Sequence, residues 1–203
     1  MTPGKRLFDI ALPLILLLPL GFVMAAIAIL LRMTQGAPVL YGSERMHDMA
    51  SAFTLWKFRT MRTAGRDGGV SGGDKAGRVT PVGRLLRATR LDELPQIFNI
   101  LKGDMSFVGP RPPLREYAEA FPDLYARVLR SRPGVTGLAS LLYHRHEEGL
   151  LAKCRDSEET DRVYRRRCIP RKAALDLIYQ RRRTICLDAW ILARTVAGVA
   201  VRR

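Results

Sequence analysis

Asp92 and Glu93 stand side by side among basic residues and run at once into Leu94, Ile97, Phe98 and Leu101, apolar positions at helical spacing. Pro95 lies inside that run. A proline lacks the backbone donor and clashes one turn back, so it belongs in a helix's first turn. The pattern therefore predicts Asp92 as the N-cap and Glu93 as the first helical residue. Both carboxylates would then sit where unpaired N–H groups and the helix dipole favour negative charge, a place that also attracts phosphate. Such a pair is either a cap or a reacting group. Further on, Lys102-Gly103-Asp104 reads as a helix exit and Gly109-Pro110-Arg111-Pro112-Pro113 as a stiff extended segment. Prolines on both sides leave Arg111 little backbone freedom, which suits a guanidinium held ready for a bidentate phosphate contact. The plain alternative is a solvated loop arginine.

From Arg90 to Pro112 the sequence RLDELPQIFNILKGDMSFVGPRP resembles the signature of the bacterial sugar transferases, the small monotopic phosphoglycosyl transferases. Further matches follow in the family's order: Lys5-Arg6-Leu7-Phe8-Asp9, Thr34-Gln35-Gly36, Lys57-Phe58-Arg59-Thr60-Met61 and Arg132-Pro133-Gly134-Val135-Thr136-Gly137. The resemblance implies transfer of a phosphosugar from a UDP-sugar to undecaprenyl phosphate at the cytoplasmic face of the bacterial inner membrane. UMP and undecaprenyl diphosphate sugar are the implied products, in what would be the first membrane step of glycoconjugate synthesis. It implies Asp92 as the nucleophile that carries the phosphosugar, and Glu93 as its helper in metal binding or proton transfer. Both are implied ligands of Mg²⁺. Arg87, Arg111, Pro110, Lys57 and Arg59 are implied to hold phosphates or nucleotide. After Gly137 the pattern departs: Leu138 and Ser140 stand where relatives usually carry tryptophan and glutamine.

The chain has 203 residues, a net charge of +15 and 47% hydrophobic content. That is enough for one modest core plus an appendage, with one apolar and one basic surface. The charge calls for an acidic partner, such as anionic membrane lipid or phosphorylated ligands. No nucleic-acid partner is expected, because the cations are spread along the chain and no recognised module is visible. Cys154, Cys168 and Cys186 lack the spacing of a disulfide framework or a zinc site, and His47, His144 and His146 lack metal-ligand spacing.

Ile10 to Leu31 is an unbroken apolar run of 22 residues. As a straight helix it would be about 33 Å long, enough to span a bilayer core. Pro13, Pro19 and Gly21 interrupt it, and cations lie on both sides, so the positive-inside rule gives no orientation. A break near Pro19 to Gly21 would return both ends to one face. This re-entrant hairpin is what the resemblance implies, although Gly21-Phe22 stands where the family usually has Ser-Pro. A spanning helix and a cleaved leader ending near Ala26-Ile27-Ala28 are the alternatives. Lys5, Arg6 and Asp9 would mark the membrane interface, with Asp9 paired to Arg6 by the resemblance.

The expected fold is α+β: a mostly helical monotopic membrane protein with an N-terminal re-entrant helix hairpin (1–36) and a small cytoplasmic catalytic domain (37–203) with short strands and interfacial helices. Strands are expected at Pro38 to Tyr41 and Phe53 to Thr60, the second placing Lys57 and Arg59 on one face. Ala64 to Gly77 is glycine-rich and reads as a lid. Thr80-Pro81 starts a helix that buries Val82, Leu85 and Leu86 and gathers Arg84, Arg87 and Arg90. One helix is expected over Leu114 to Arg130, a turn at Arg132-Pro133-Gly134, and a helix from Leu187 to Val201 with Trp190 at the interface. The rival from another class is a non-catalytic, membrane-anchored basic module that binds anionic lipid or a partner protein. It accounts for the charge and the anchor but not for Asp92-Glu93 beside Gly109 to Pro112.

Overall fold

The computed structural model describes residues 2–62 and 77–200, so the expected lid lies outside the described residues except for Gly77. Helix α1, Pro3–Gln35, is opened by Thr2, whose hydroxyl accepts from the Lys5 N–H, with a proline in its first turn. It runs through Pro13 and Pro19 without leaving helical geometry, and Pro19 and Gly21 lie within it. This helix is long and apolar enough to cross a membrane. Its middle carries exposed Leu14, Ile15, Leu18 and Phe22, while Lys5, Asp9, Ile27 and Leu31 are buried. Both ends therefore pack on the rest of the protein.

Two strands, β1 (Leu40–Met46) and β2 (Ala52–Phe58), form an antiparallel hairpin in which Tyr41 pairs with Lys57 and Arg45 with Phe53. The first strand thus begins later and runs longer than its sequence suggests. Phe58 and Leu86 close over Ile27 and Leu31 of α1, while Phe53 and Leu55 pack on Ile100 and Met105. Helix α2, Pro81–Thr89, starts at Thr80, which accepts from the Gly83 N–H. Leu86 and Gly83 are its buried residues and Leu85 is exposed, contrary to expectation.

The chain turns sharply after α2. Arg90 takes a left-handed conformation and Leu91–Glu93 forms a 3₁₀ turn before helix α3, Gln96–Lys102. Asp92 is therefore not a helix cap. The Glu93 and Leu94 N–H groups bond back to Arg90 and Leu91, so backbone does what the carboxylate was expected to do. Gly103 ends α3 with φ 99°, as its helix-exit reading requires.

A second, parallel sheet pairs β3 (Ser106–Val108) with β4 (Gly134–Thr136). The expected turn at Pro133-Gly134 is thus the start of a strand. A Cβ on Gly134 would come within 2.1 Å of the Gly109 nitrogen, and one on Gly137 within 2.1 Å of the Gly109 oxygen. Glycine is required there because two backbones touch. The expected helix from Leu114 is two, α4 (Arg115–Ala120) and α5 (Pro122–Val128), since Phe121 leaves helical geometry and Pro122 begins a new first turn.

Helices α6 (Leu138–Leu151), α7 (Ser157–Val163), α8 (Ile169–Arg182) and α9 (Ile185–Ala200) complete the domain, with a π-helical turn, Tyr164–Cys168, leading into α8. The main core joins Met46, Tyr117, Tyr125, Val128, Tyr164, Cys168 and Ala173. Asp176 of α8 is buried beside it, with one carboxylate oxygen unpartnered. Burial drives its carboxyl up to about 7, against Lys172 and the Ala139 N–H, which pull it down.

Candidate active site

Glu93 organises the site. Its Oε1 accepts from Lys57 Nζ at 2.8 Å and from Arg111 Nη2 at 3.0 Å, and its Oε2 lies 3.4 Å from Arg90 Nη1. Lys57 comes from β2, Arg90 from the left-handed corner and Arg111 from the proline segment. Three distant parts of the chain therefore converge on one carboxylate. Burial opposes its ionisation, but these cations outweigh it and hold Glu93 well below the usual carboxylate range. Glu93 in turn raises Arg111, while burial lowers Lys57 against the pull of Glu93. An anion so firmly ionised anchors cations and is a poor proton donor.

Asp92 differs. It is 7% exposed, yet its carboxylate has no hydrogen bond among the described residues. Burial pushes its carboxyl upward and Glu93 adds to this, while Lys57, Arg87 and Arg111 act against it. The adjacent carboxylates thus divide the work: one is committed to cations, and the other is surrounded by them but uncommitted. Arg87 is held by its Nε, which donates to Thr60 Oγ1 at 2.9 Å. The Thr60 carbonyl approaches Gly83 so closely that a Cβ there would lie 2.1 Å from it.

Arg111 is fixed from behind. The Pro110 carbonyl accepts from Gly134 N at 2.8 Å, and the Pro113 carbonyl accepts from Met46 N at 3.0 Å. Pro110 itself is buried. It acts through its neighbour's backbone geometry. Asn99 couples α3 to β2, donating to the Thr54 carbonyl at 2.8 Å and accepting from Trp56 N at 3.2 Å.

Other expected residues lie elsewhere. Arg59 points away from the cluster and donates to the carbonyls of Gln35, Gly36 and Ala37, closing the C-terminal end of α1. The strand ends at Phe58, so alternation with Lys57 does not extend to Arg59. Arg6 and Asp9 do not pair. Arg6 donates to the carbonyls of Ile100 and Leu101, and Asp9 accepts from Ser106 Oγ at 3.0 Å and Phe107 N at 3.1 Å. Lys5 lies inside the protein, bonded to the Val108 carbonyl, Tyr179 and Asp188. Lys5 and Asp9 are thus internal ties rather than interface residues, because unpaired groups of β3 and the buried Asp188 claim them first.

Sequence reasoning missed the pairing role of Arg90 and the part of Thr60, although both stand within matched motifs. It gave no signal for Asn99. Among the described residues no three of His, Cys, Asp and Glu come together as a metal cage. Mg²⁺ needs less than that: one or two carboxylates suffice where substrate phosphates complete its shell. Asp92 fits as such a ligand, since its oxygens are uncommitted, whereas both Glu93 oxygens already face cations.

A buried, uncommitted carboxylate beside Lys57, Arg87 and Arg111 suits a reaction in which a carboxylate meets phosphate. Comparison with known proteins gives the family. The chain is 39% identical over 137 residues to the uncharacterized sugar transferase EpsL of Bacillus subtilis (strain 168), covering 68% of this chain and 67% of that one. It is 37% identical over 164 residues to the UDP-glucose:undecaprenyl-phosphate glucose-1-phosphate transferase of Klebsiella pneumoniae, covering 79% of this chain and 35% of that one. An undecaprenyl-phosphate glucose phosphotransferase of Komagataeibacter xylinus is 33% identical over 201 residues, 95% of this chain and 35% of its own. The chain thus spans about a third of the length of the last two relatives. Residues 2–202 match the bacterial sugar transferase family as a whole. With its signature segment supplying the convergent carboxylates and arginine described above, the chain belongs to the bacterial sugar transferase family.

Proposed function

We propose that the protein transfers a phosphosugar from a UDP-sugar to undecaprenyl phosphate through a covalent intermediate on Asp92. The observation that carries this reading is the buried Asp92 carboxylate, without a hydrogen bond among the described residues and ringed by Lys57, Arg87 and Arg111. An Asp92 oxygen attacks the sugar-side phosphorus. The bond from that phosphorus to the bridging oxygen breaks, and UMP leaves with the electron pair. An oxygen of undecaprenyl phosphate then attacks the same phosphorus, the Asp92–phosphorus bond breaks, and the carboxylate returns with undecaprenyl diphosphate sugar as product. Two displacements replace one reaction between two anions. Arg111, held by Glu93, and Arg87, held by Thr60, neutralise the charge that develops on phosphate. Asp92, together with the donor's phosphates, would hold Mg²⁺, which would supply further neutralisation of charge on the leaving nucleotide.

The membrane arrangement fits the same reading. Lys5, Arg6 and Asp9 bind β3, α3 and α9, while Ile27 and Leu31 pack beside Phe58 and Leu86. A straight helix of α1's length would extend about 50 Å, yet both of its ends rest on one domain. A bend at the prolines within the continuous helix would let α1 enter the membrane and return, leaving its exposed apolar middle in lipid. The catalytic domain then lies at the level of lipid head groups, on the inner face of the bacterial membrane.

The test is UMP release from a panel of UDP-sugars, with undecaprenyl phosphate and Mg²⁺, comparing wild type with Asp92→Asn. Without lipid acceptor, wild type should gain the mass of one phosphosugar on the peptide that contains Asp92. Turnover by clean Asp92→Asn, or an adduct on another residue, overturns the assignment.

A further inference from the structure

Arg45 lies on β1, one residue before Met46, whose N–H bonds the Pro113 carbonyl. Its Nη1 lies 3.5 Å from the Pro112 carbonyl. That contact is long, and it puts the guanidinium beside the segment that carries Arg111. Met46 packs with Tyr117 and Tyr164, whose rings are 4.8 Å apart. Lys172 stands over Tyr164 at 5.1 Å. Arg45 is partly buried, its Nε is closed to solvent, and that Nε has no hydrogen-bond partner. No carboxylate among the described residues pairs with it. The carboxylates that act on Arg111, and the adjacent Glu44, are already engaged: Glu93 with Lys57, Arg90 and Arg111, Glu147 with Lys172 at 2.9 Å, and Glu44 with Arg115 at 2.8 Å. Burial and the neighbouring Arg111 bring Arg45 down to about 10, in keeping with a cation that lacks its anion.

We propose that Arg45 is a second phosphate-binding residue of the site, which takes the nucleotide-side phosphate of the donor while Lys57 and Arg87 attend the phosphorus at Asp92. This rests on the function proposed above. Arg111 is the cation common to both groups, since it touches Glu93 and neighbours Arg45. A diphosphate carries two anionic centres and needs cations at both. A partly buried guanidinium that no carboxylate pairs among the described residues supplies the second one, and its fixed fork suits a phosphate oxygen pair.

The experiment uses the full chain in nanodiscs, with Arg45→Gln and the charge-preserving Arg45→Lys. UMP is the probe, read as product inhibition and as a thermal shift that needs no turnover. For Arg45→Gln we expect UMP inhibition at least tenfold weaker, a lost UMP-induced shift and a raised KM for the UDP-sugar. The KM for undecaprenyl phosphate should be unchanged, and Arg45→Lys should recover part of the loss. If Arg45→Gln does not fold, Arg45→Lys is the deciding variant, expected to bind UMP at least threefold more weakly. A raised KM for undecaprenyl phosphate with unchanged UMP binding overturns the assignment and gives Arg45 to the lipid phosphate. Unchanged UMP binding and unchanged KM values make Arg45 structural. Failure of wild type to release UMP from any UDP-sugar is a different result: it defeats the proposed function, and UMP binding then still reports on Arg45.

Discussion

Replacing Asp176 by asparagine should remove a pH-dependent weakness from the fold. The carboxyl moves from an ordinary 3.8 to about 7 because it is buried beside an incomplete set of partners. At about 1.4 kcal/mol per pH unit, the ionised form costs the folded state about 4 kcal/mol. The sign follows from where the proton binds more tightly, which is the folded state. The stability of the neutral form is fully present below pH 3.8 and is lost as pH rises through 7. Asparagine keeps an acceptor for the Ala139 N–H and cannot ionise. Thermal unfolding in detergent should therefore place the two proteins close together at pH 4. At pH 8 the variant should unfold about 8 to 16 °C higher, at about 2 to 4 °C per kcal/mol for a chain of this size. An equal difference at both pH values, or a less stable variant at pH 8, would refute the reasoning.

Glu93→Gln should abolish turnover and cost about 3 to 5 kcal/mol in thermal or denaturant unfolding, because three cations lose their buried anion. The pH profile of kcat/KM should show one acid limb set by Asp92, lying above the ordinary aspartate value of 3.8 since burial raises it; a limb at or below 3.8 would refute the assignment. Gly83→Ala pushes a methyl into the Thr60 carbonyl and should cost about 1 to 3 kcal/mol, with kcat falling through Arg87 and fold content, by circular dichroism, retained. Arg59→Met frees carbonyls at the end of α1 and should lower stability by about 1 to 3 kcal/mol while leaving UMP inhibition unchanged.

Much of the site is legible in the sequence because the chemistry is local. Asp92, Glu93 and Arg111 sit within one segment, and proline chemistry alone marks Arg111 as held. The helix starts at Thr80-Pro81 and the exit at Gly103 follow from capping rules. What the sequence hides is the choice between equivalent partners. Asp92 has every local mark of a cap, but the left-handed corner at Arg90 lets backbone groups do that work. Arg59 looks like Lys57's neighbour on a strand, yet the strand ends between them and the carbonyls of α1 take it. The parallel pairing of Ser106–Val108 with Gly134–Thr136 joins segments far apart in sequence, and three residues per strand leave no periodicity to read. Asp9 and Arg6 each find strand or helix backbone rather than one another.

The tie between Lys5 and Asp188 has a consequence for how the protein is made. The two partners stand 183 positions apart, so Lys5 leaves the ribosome well before Asp188. Until Asp188 and Tyr179 arrive, Lys5 has no anion for its buried place, and α1 lacks its hold on the domain. Helix α1 is therefore made before it can be locked, and α9 acts as the latch. A chain interrupted before Asp188 should insert but stay open to protease at the β3 segment, which pulse-labelled truncations can reveal. Equal protection of truncated and full chains would show that the latch is dispensable.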